Sequence, residues 1–188
     1  MQPLTTTDLW PLPVYEGVRD QFRREVIAAK QHRRVAVGPF ISLIFENRLT
    51  VKFQIQEILR VERITAPEAV REELEGFNEM LPGAGELSAT LLVELQGEDA
   101  AVKAQLAKLS GLADHVWLEV AGARTRAIFE GGRDDGTRVS AVQYLRFLVG
   151  SREKLEVGPA ALVIDHPEYR HRQELTEAAR GSLAQDLA

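Results

Sequence analysis

Val51-Lys52-Phe53-Gln54-Ile55-Gln56-Glu57-Ile58-Leu59-Arg60-Val61-Glu62-Arg63-Ile64 is the stretch on which the reading of this chain turns. At about 3.6 residues per turn, Val51, Ile55, Ile58, Leu59 and Val61 fall into one apolar stripe, so the segment is expected to be a helix packed on a core. Gln54 and Glu62 fall inside that stripe, whereas Gln56, Glu57, Arg60 and Arg63 lie on the other side. An unpaired buried polar group costs roughly 1–3 kcal/mol, so both residues need partners.

Outward from this helix, the flanks alternate helix and strand. Upstream, Tyr15, Val18, Phe22, Val26 and Ala29 recur at helical spacing and predict an amphipathic helix over about 13–33, with Pro11 and Pro13 tolerated at its start. The β-branched and aromatic run 35–45 reads as a strand, bent or bulged at Gly38-Pro39 and therefore at a sheet edge. Downstream, Thr65 with Glu68 three residues later has the form of a capping box, with Pro67 in the first turn of a helix over about 66–81. Leu87, Ala89, Leu91, Val93 and Leu95 alternate with polar neighbours, as in a strand with one buried face. A short helix through Val102, Leu106 and Leu109 stops at Gly111, and residues 115–120 and 124–130 flank a hairpin at Ala121-Gly122-Ala123. Residues 137–149 read as a long central strand, 160–164 as a last strand, and about 169–187 as a weak helix, frayed from about 173. The expected fold is one α+β domain over 1–188, a mostly antiparallel sheet packed against a helix pair and a long N-terminal helix.

Composition narrows the function classes. No cysteine is present, which removes disulfides, zinc-thiolate sites, protein-ligated iron–sulfur clusters and thiol nucleophiles. The first residues lack the form of a signal peptide and no apolar run reaches a membrane span, so a cytoplasmic location and no membrane association are expected. A net charge of -5 argues against nucleic-acid binding. The charges are segregated, however. Residues 19–34 hold six basic against two acidic side chains, a local net of +4, and residues 68–99 hold nine acidic against one basic, a local net of -8. These are either solvated faces or complementary surfaces that meet in a homodimer or a partner.

Motifs for chemistry are weak. The loop 131–136 is glycine-rich but lacks the Lys-Ser/Thr of a phosphate loop, and Asp134 with Asp135 supply too few oxygens for a metal. Among His32, His115, His166 and His171 no zincin spacing occurs. His115 is expected on the same strand face as Trp117. His166 in Asp165-His166-Pro167 lies beyond a strand end, where site residues can project, although a histidine bonded to backbone fits equally. A triad of Ser140, His166 and Asp165 is rejected, because adjacent side chains in a strand point apart. The remaining constellation is a polar cleft between helix 48–64 and the sheet, lined by Gln54, Glu57, Glu62, Gln143, Arg146 and His166. Its bland alternative is a sealed network in which Glu62 pairs with Arg146.

The segments Phe53-Gln54-Ile55-Gln56-Glu57-Ile58-Leu59-Arg60, Phe77-Asn78-Glu79-Met80-Leu81-Pro82-Gly83 and Glu86-Leu87-Ser88-Ala89-Thr90-Leu91 resemble an uncharacterised bacterial domain-of-unknown-function family. His115-Val116-Trp117-Leu118, Ser140-Ala141-Val142-Gln143-Tyr144-Leu145-Arg146-Phe147 and Asp165-His166-Pro167-Glu168-Tyr169 look like its later motifs, so the resemblance spans about residues 9–172. It brings no functional residues. Its members are often encoded beside rubrerythrin-like and iron–sulfur oxidoreductase-like proteins, which implies a redox or oxidative-stress setting. The expectation is therefore a cofactor-free accessory protein of a redox system, working as a homodimer. The alternative is an enzyme or small-molecule sensor, metal-dependent or not, that uses the cleft.

Overall fold

In a computed structural model, which describes residues 1–131 and 138–187, the pivotal helix begins at Arg48, where it was expected. The Asn47 side chain accepts from the Thr50 amide and the Thr50 hydroxyl accepts from the Asn47 amide, a reciprocal cap that starts α2 (Arg48–Val61). The helix ends where Arg63 turns left-handed, at φ 54°, and the Ile64 amide donates back to the Leu59 carbonyl. The buried set is Val51, Ile55 and Leu59 with Gln56. Gln54 is only half-buried, and Glu62 is an exposed C-cap beside Val61, itself 64% exposed. The expectation that Gln54 and Glu62 interrupt the apolar face is thereby corrected. Counting Val61 as core rotates the stripe toward Glu62, whereas the chain has already left the helix there.

Helix α1 (Leu12–Lys30) packs on α2 through Tyr15, Phe22 and Val26, joined by Trp10 and Phe53. Helix α3 (Pro67–Asn78) joins α2 through Leu74, Leu81 and Leu4. Pro67 occupies the first helical position as expected, and this makes Ala66 the N-cap, so Thr65 and Glu68 form no capping box. Glu68 instead pairs with Arg71 at 2.9 Å.

The run 35–45 is two strands. β1 (Arg34–Ala36) and β2 (Ile41–Phe45) form an antiparallel hairpin with Val35 opposite Leu43, so Gly38-Pro39 is a reversal and not a bulge. Gly38 has φ 81°, and a Cβ there would lie 2.5 Å from the Tyr169 hydroxyl. The edge position expected for this strand is occupied by β1. β3 (Glu86–Val93) follows, then α4 (Asp99–Lys108), β4 (Val116–Val120), β5 (Ala123–Arg126), β6 (Ile128–Phe129) and β7 (Val142–Leu148). The chain closes with α5 (Arg152–Val157), β8 (Ala160–His166), β9 (Tyr169–Glu174) and α6 (Glu177–Ala184).

Five strands form one sheet in the order β1-β2-β3-β7-β6 and four form another, β5-β4-β8-β9, with antiparallel neighbours throughout. This is an α+β fold. The segment expected as one strand over 124–130 changes sheet at the buried Ala127: β5 pairs with β4, and β6 with β7. Residues 169–174, expected to start a helix, pair with β8 as β9. The inner faces of the two sheets share one core, including Leu43, Leu91, Phe147, Leu118 and Leu162, and α6 closes it with Leu183 and Ala184. The outer face of the five-stranded sheet carries Ser88, Thr90, Tyr144 and Arg146, with Ser88 opposite Arg146 and Thr90 opposite Tyr144. The segment following α3 lies over that face, where the Ser88 hydroxyl donates to the Met80 carbonyl at 2.6 Å. Among the described residues no helix is long and apolar enough to cross a membrane.

Candidate functional site

Between α3 and the outer face of the five-stranded sheet lies a cleft of about 440 Å³. Phe77 and Met80 wall it from the helix side, and Phe129, Ile128 and Tyr144 from the sheet side. Tyr144 and Arg146 project here because alternation along β7 sends Gln143, Leu145 and Phe147 to the inner core. Glu46, Ser88 and Ala89 also line the cleft, together with Glu73, Glu79 and Glu130.

Glu46 is 2% exposed. The Thr90 hydroxyl donates to its Oε1 at 2.7 Å, and the Thr50 hydroxyl donates to its Oε2. Thr90 is the cross-strand neighbour of Tyr144, which fixes this carboxylate on the cleft side of the sheet. The start of α2 offers it partial positive charge. No cation pairs with it among the described residues. Arg33 reaches only its backbone carbonyl, at 3.1 Å, and is itself paired with Asp186.

This cleft is not the one expected between helix 48–64 and the sheet: its helix wall is α3 and its lining differs. Of the expected residues only Arg146 is present, its guanidinium 3.4 Å from Glu86 and donating to the Glu79 carbonyl, not to Glu62. Gln143 is on the opposite face of β7, donating to the Ser140 carbonyl at 3.0 Å. His166 belongs to the other sheet, 4% exposed, with Nε2 against the Ser110 carbonyl at 3.0 Å while Nδ1 accepts from the Glu168 amide at 3.2 Å. Those two bonds give it the backbone-bonded role named as its alternative. Neighbouring Asp165 gathers His115, Trp117 and Arg124 on the outer face of that sheet, so His115 and Trp117 do share a face. These contacts hold the Asp165 carboxyl below its ordinary range despite the opposing effect of burial. The loop residues Asp134 and Asp135 lie outside the described residues.

Glu57 has a different partner set. Arg19 binds it through two nitrogens, each at 2.8 Å, Tyr15 donates to it at 2.8 Å, and Arg60 approaches from the next turn. The Arg19 bonds above all, opposed by burial and aided by Arg60 and Tyr15, draw its carboxyl down to about 2. Burial and the Glu57 contact push the Tyr15 phenol up. Gln56, the buried amide of α2, bonds the Trp10 backbone in both directions, at 2.7 and 3.3 Å. This is a joint between α1 and α2, not a cleft.

The segregated charges are partly consumed inside the chain. Arg19 is taken by Glu57, Arg33 is buried, and Arg34 of the basic run pairs with Glu94 of the acidic one. Among the described residues no group of three His, Asp or Glu is placed to hold a metal ion. Sequence reasoning missed Glu46, Phe77, Phe129 and Tyr144. The available signal was an acid directly following an apolar strand and preceding a helix cap, which carries meaning only once β2 is aligned with β3.

Residues 3–187 match the model of a family described as a protein of unknown function, DUF3501. A crystal structure of a novel protein of unknown function from Burkholderia pseudomallei K96243 is 34% identical, with all of both chains covered and a TM-score of 0.93. No curated protein matches.

Proposed function

Because the chain belongs to the DUF3501 family of proteins of unknown function, no activity comes to it by kinship, and we propose from its own geometry that it binds a small organic molecule in the cleft between α3 and the five-stranded sheet. The observation that carries this reading is the cleft itself. About 440 Å³ of concave space with aromatic walls and a few convergent polar groups is of the size and character of a small-molecule site. In the redox setting that the family resemblance implies, occupancy of the cleft would be the signal the protein passes to a partner.

Gly76 provides the test. It lines the cleft on α3, and a Cβ built there meets nothing within 4 Å. Gly76→Trp is therefore expected to put its indole into the cleft without a clash at Cβ, and replacing glycine in a helix favours folding by roughly 0.5–1 kcal/mol in the alanine case. Wild-type protein is expected to show ligand-dependent rises in melting temperature against a panel of small metabolites, and Gly76→Trp to lose them while melting no lower. Ligand shifts that persist in Gly76→Trp would place binding elsewhere.

A further inference from the structure

Resting on the reading of the cleft as a binding site, we propose that its ligand is an organic cation, a primary ammonium or guanidinium group on an apolar body, whose charged end is held by Glu46. Among the described residues Glu46 is the most enclosed ionisable group of the cleft, at 2% exposure, and it meets two neutral hydroxyls but no cation. Buried carboxylates in proteins ordinarily have a cationic partner, since the charge loses its hydration. Each carboxylate oxygen keeps acceptor capacity beyond its one hydroxyl donor. A ligand ammonium has three donors to fill it.

The other groups of the cleft point the same way. Arg146, the cation of the lining among the described residues, is turned to Glu86 and the Glu79 carbonyl. Glu73 and Glu79 stand on the α3 side with no cation paired to either carboxylate among the described residues, so the mouth attracts cations and repels anions. Phe77, Phe129 and Tyr144 make the lining aromatic, and beside aromatic rings an organic cation is favoured over a hydrated metal ion. A carboxylate ligand would face Glu46 without a donor to spare. A neutral ligand would leave the charge as it is.

Three probes of similar shape decide it: phenethylammonium, 2-phenylethanol and 3-phenylpropionate, titrated calorimetrically into the full chain at up to roughly 10 mM. Phenethylammonium is expected to bind at least about tenfold more tightly than the alcohol, the effect of one charge-assisted hydrogen bond, and the carboxylate not at all. Glu46→Gln should reduce the preference for the ammonium over the alcohol to within about threefold. Equal binding of all three probes, or tighter binding of the carboxylate, overturns the cation assignment and leaves the cleft a binding site. Failure of all three to bind overturns the cation assignment and leaves the cleft reading to the metabolite panel, whereas binding that survives Gly76→Trp overturns both. The wild-type comparison needs no variant, so the assignment stands or falls even if Glu46→Gln does not fold.

Discussion

Two carboxylates in this chain, Glu57 and Glu46, show how partner chemistry separates a structural side chain from a recognising one. Glu57 is enclosed by Arg19, Arg60 and Tyr15, and its carboxyl is held at about 2, against an ordinary value of 4.5. A carboxyl lowered on folding adds stability above its unfolded value, and that stability is lost as the pH falls from about 4.5 toward 2. Glu57→Gln should cost about 2 kcal/mol at pH 7, after discounting for its partial exposure, and should flatten the loss of stability between pH 5 and pH 2. Urea unfolding across that range measures both; a variant whose pH profile stays parallel to wild type would refute the assignment. Glu46 meets hydroxyls and no counter-charge among the described residues, which is the basis for its proposed role in recognition. Gly38 belongs to the same scale. Its φ of 81° and the Tyr169 hydroxyl 2.5 Å from a built Cβ leave no room for a side chain. Tyr169 cannot withdraw, since it is buried and donates to the Val37 carbonyl at 2.6 Å. Gly38→Ala is expected to lose about 2–4 kcal/mol in urea unfolding, against no loss for Gly76→Ala.

At the scale of elements, the start of α2 depends on Asn47 and Thr50, whereas the start of α3 depends on Pro67 with no side-chain cap. Asn47→Ala should therefore lower stability by about 1 kcal/mol, and Thr65→Ala should stay within about 0.5 kcal/mol of wild type by thermal unfolding. Equal losses would restore a cap to Thr65. The same contrast explains what could be read from the sequence. Elements whose burial follows a single period were legible: α1, α4, the inner face of β3 and the β4-β5 hairpin. β9 was not, because Arg170, His171, Arg172, Gln173 and Glu174 are all exposed and the strand is held by its ladder to β8, which leaves no apolar face to see. Gly38-Pro39 signals a break equally well for a bulge or a reversal, and only the pairing of Val35 with Leu43 decides between them. Arg146 was legible as a charge on an apolar strand, but its partner was not, since Glu86 lies across the β3-β7 ladder and Glu62 beyond a helix end that Arg63 sets.

At the scale of the whole molecule, one buried arginine joins parts of the chain that no local pattern connects. Arg33, which belongs by sequence to a basic run, is 2% exposed and donates to the Phe45 carbonyl at 2.9 Å, to the Glu46 carbonyl at 3.1 Å and to the Ser182 hydroxyl at 3.2 Å, with Asp186 as its ion partner. It thus fastens the segment after α1 to the end of β2, where Glu46 turns toward the cleft, and both to the C-terminal turn after α6. Burial pushes the Asp186 carboxyl up, and Arg33 draws it back. Removing one partner strands the other in the interior, which costs about 3–5 kcal/mol, whereas replacing both with apolar groups is far less costly. Arg33→Met and Asp186→Leu should each be strongly destabilising in urea unfolding, and the double variant should lose about 2 kcal/mol or more less than the sum of the two, the signature of direct coupling. Additive losses would mean that the pair does not act as a unit. The coupling has a further consequence for the cleft: because Arg33 holds the carbonyl of the residue that carries the recognising carboxylate, Asp186→Leu should weaken phenethylammonium binding even where the protein remains folded, and 2-phenylethanol binding much less, since only the former depends on where Glu46 is held.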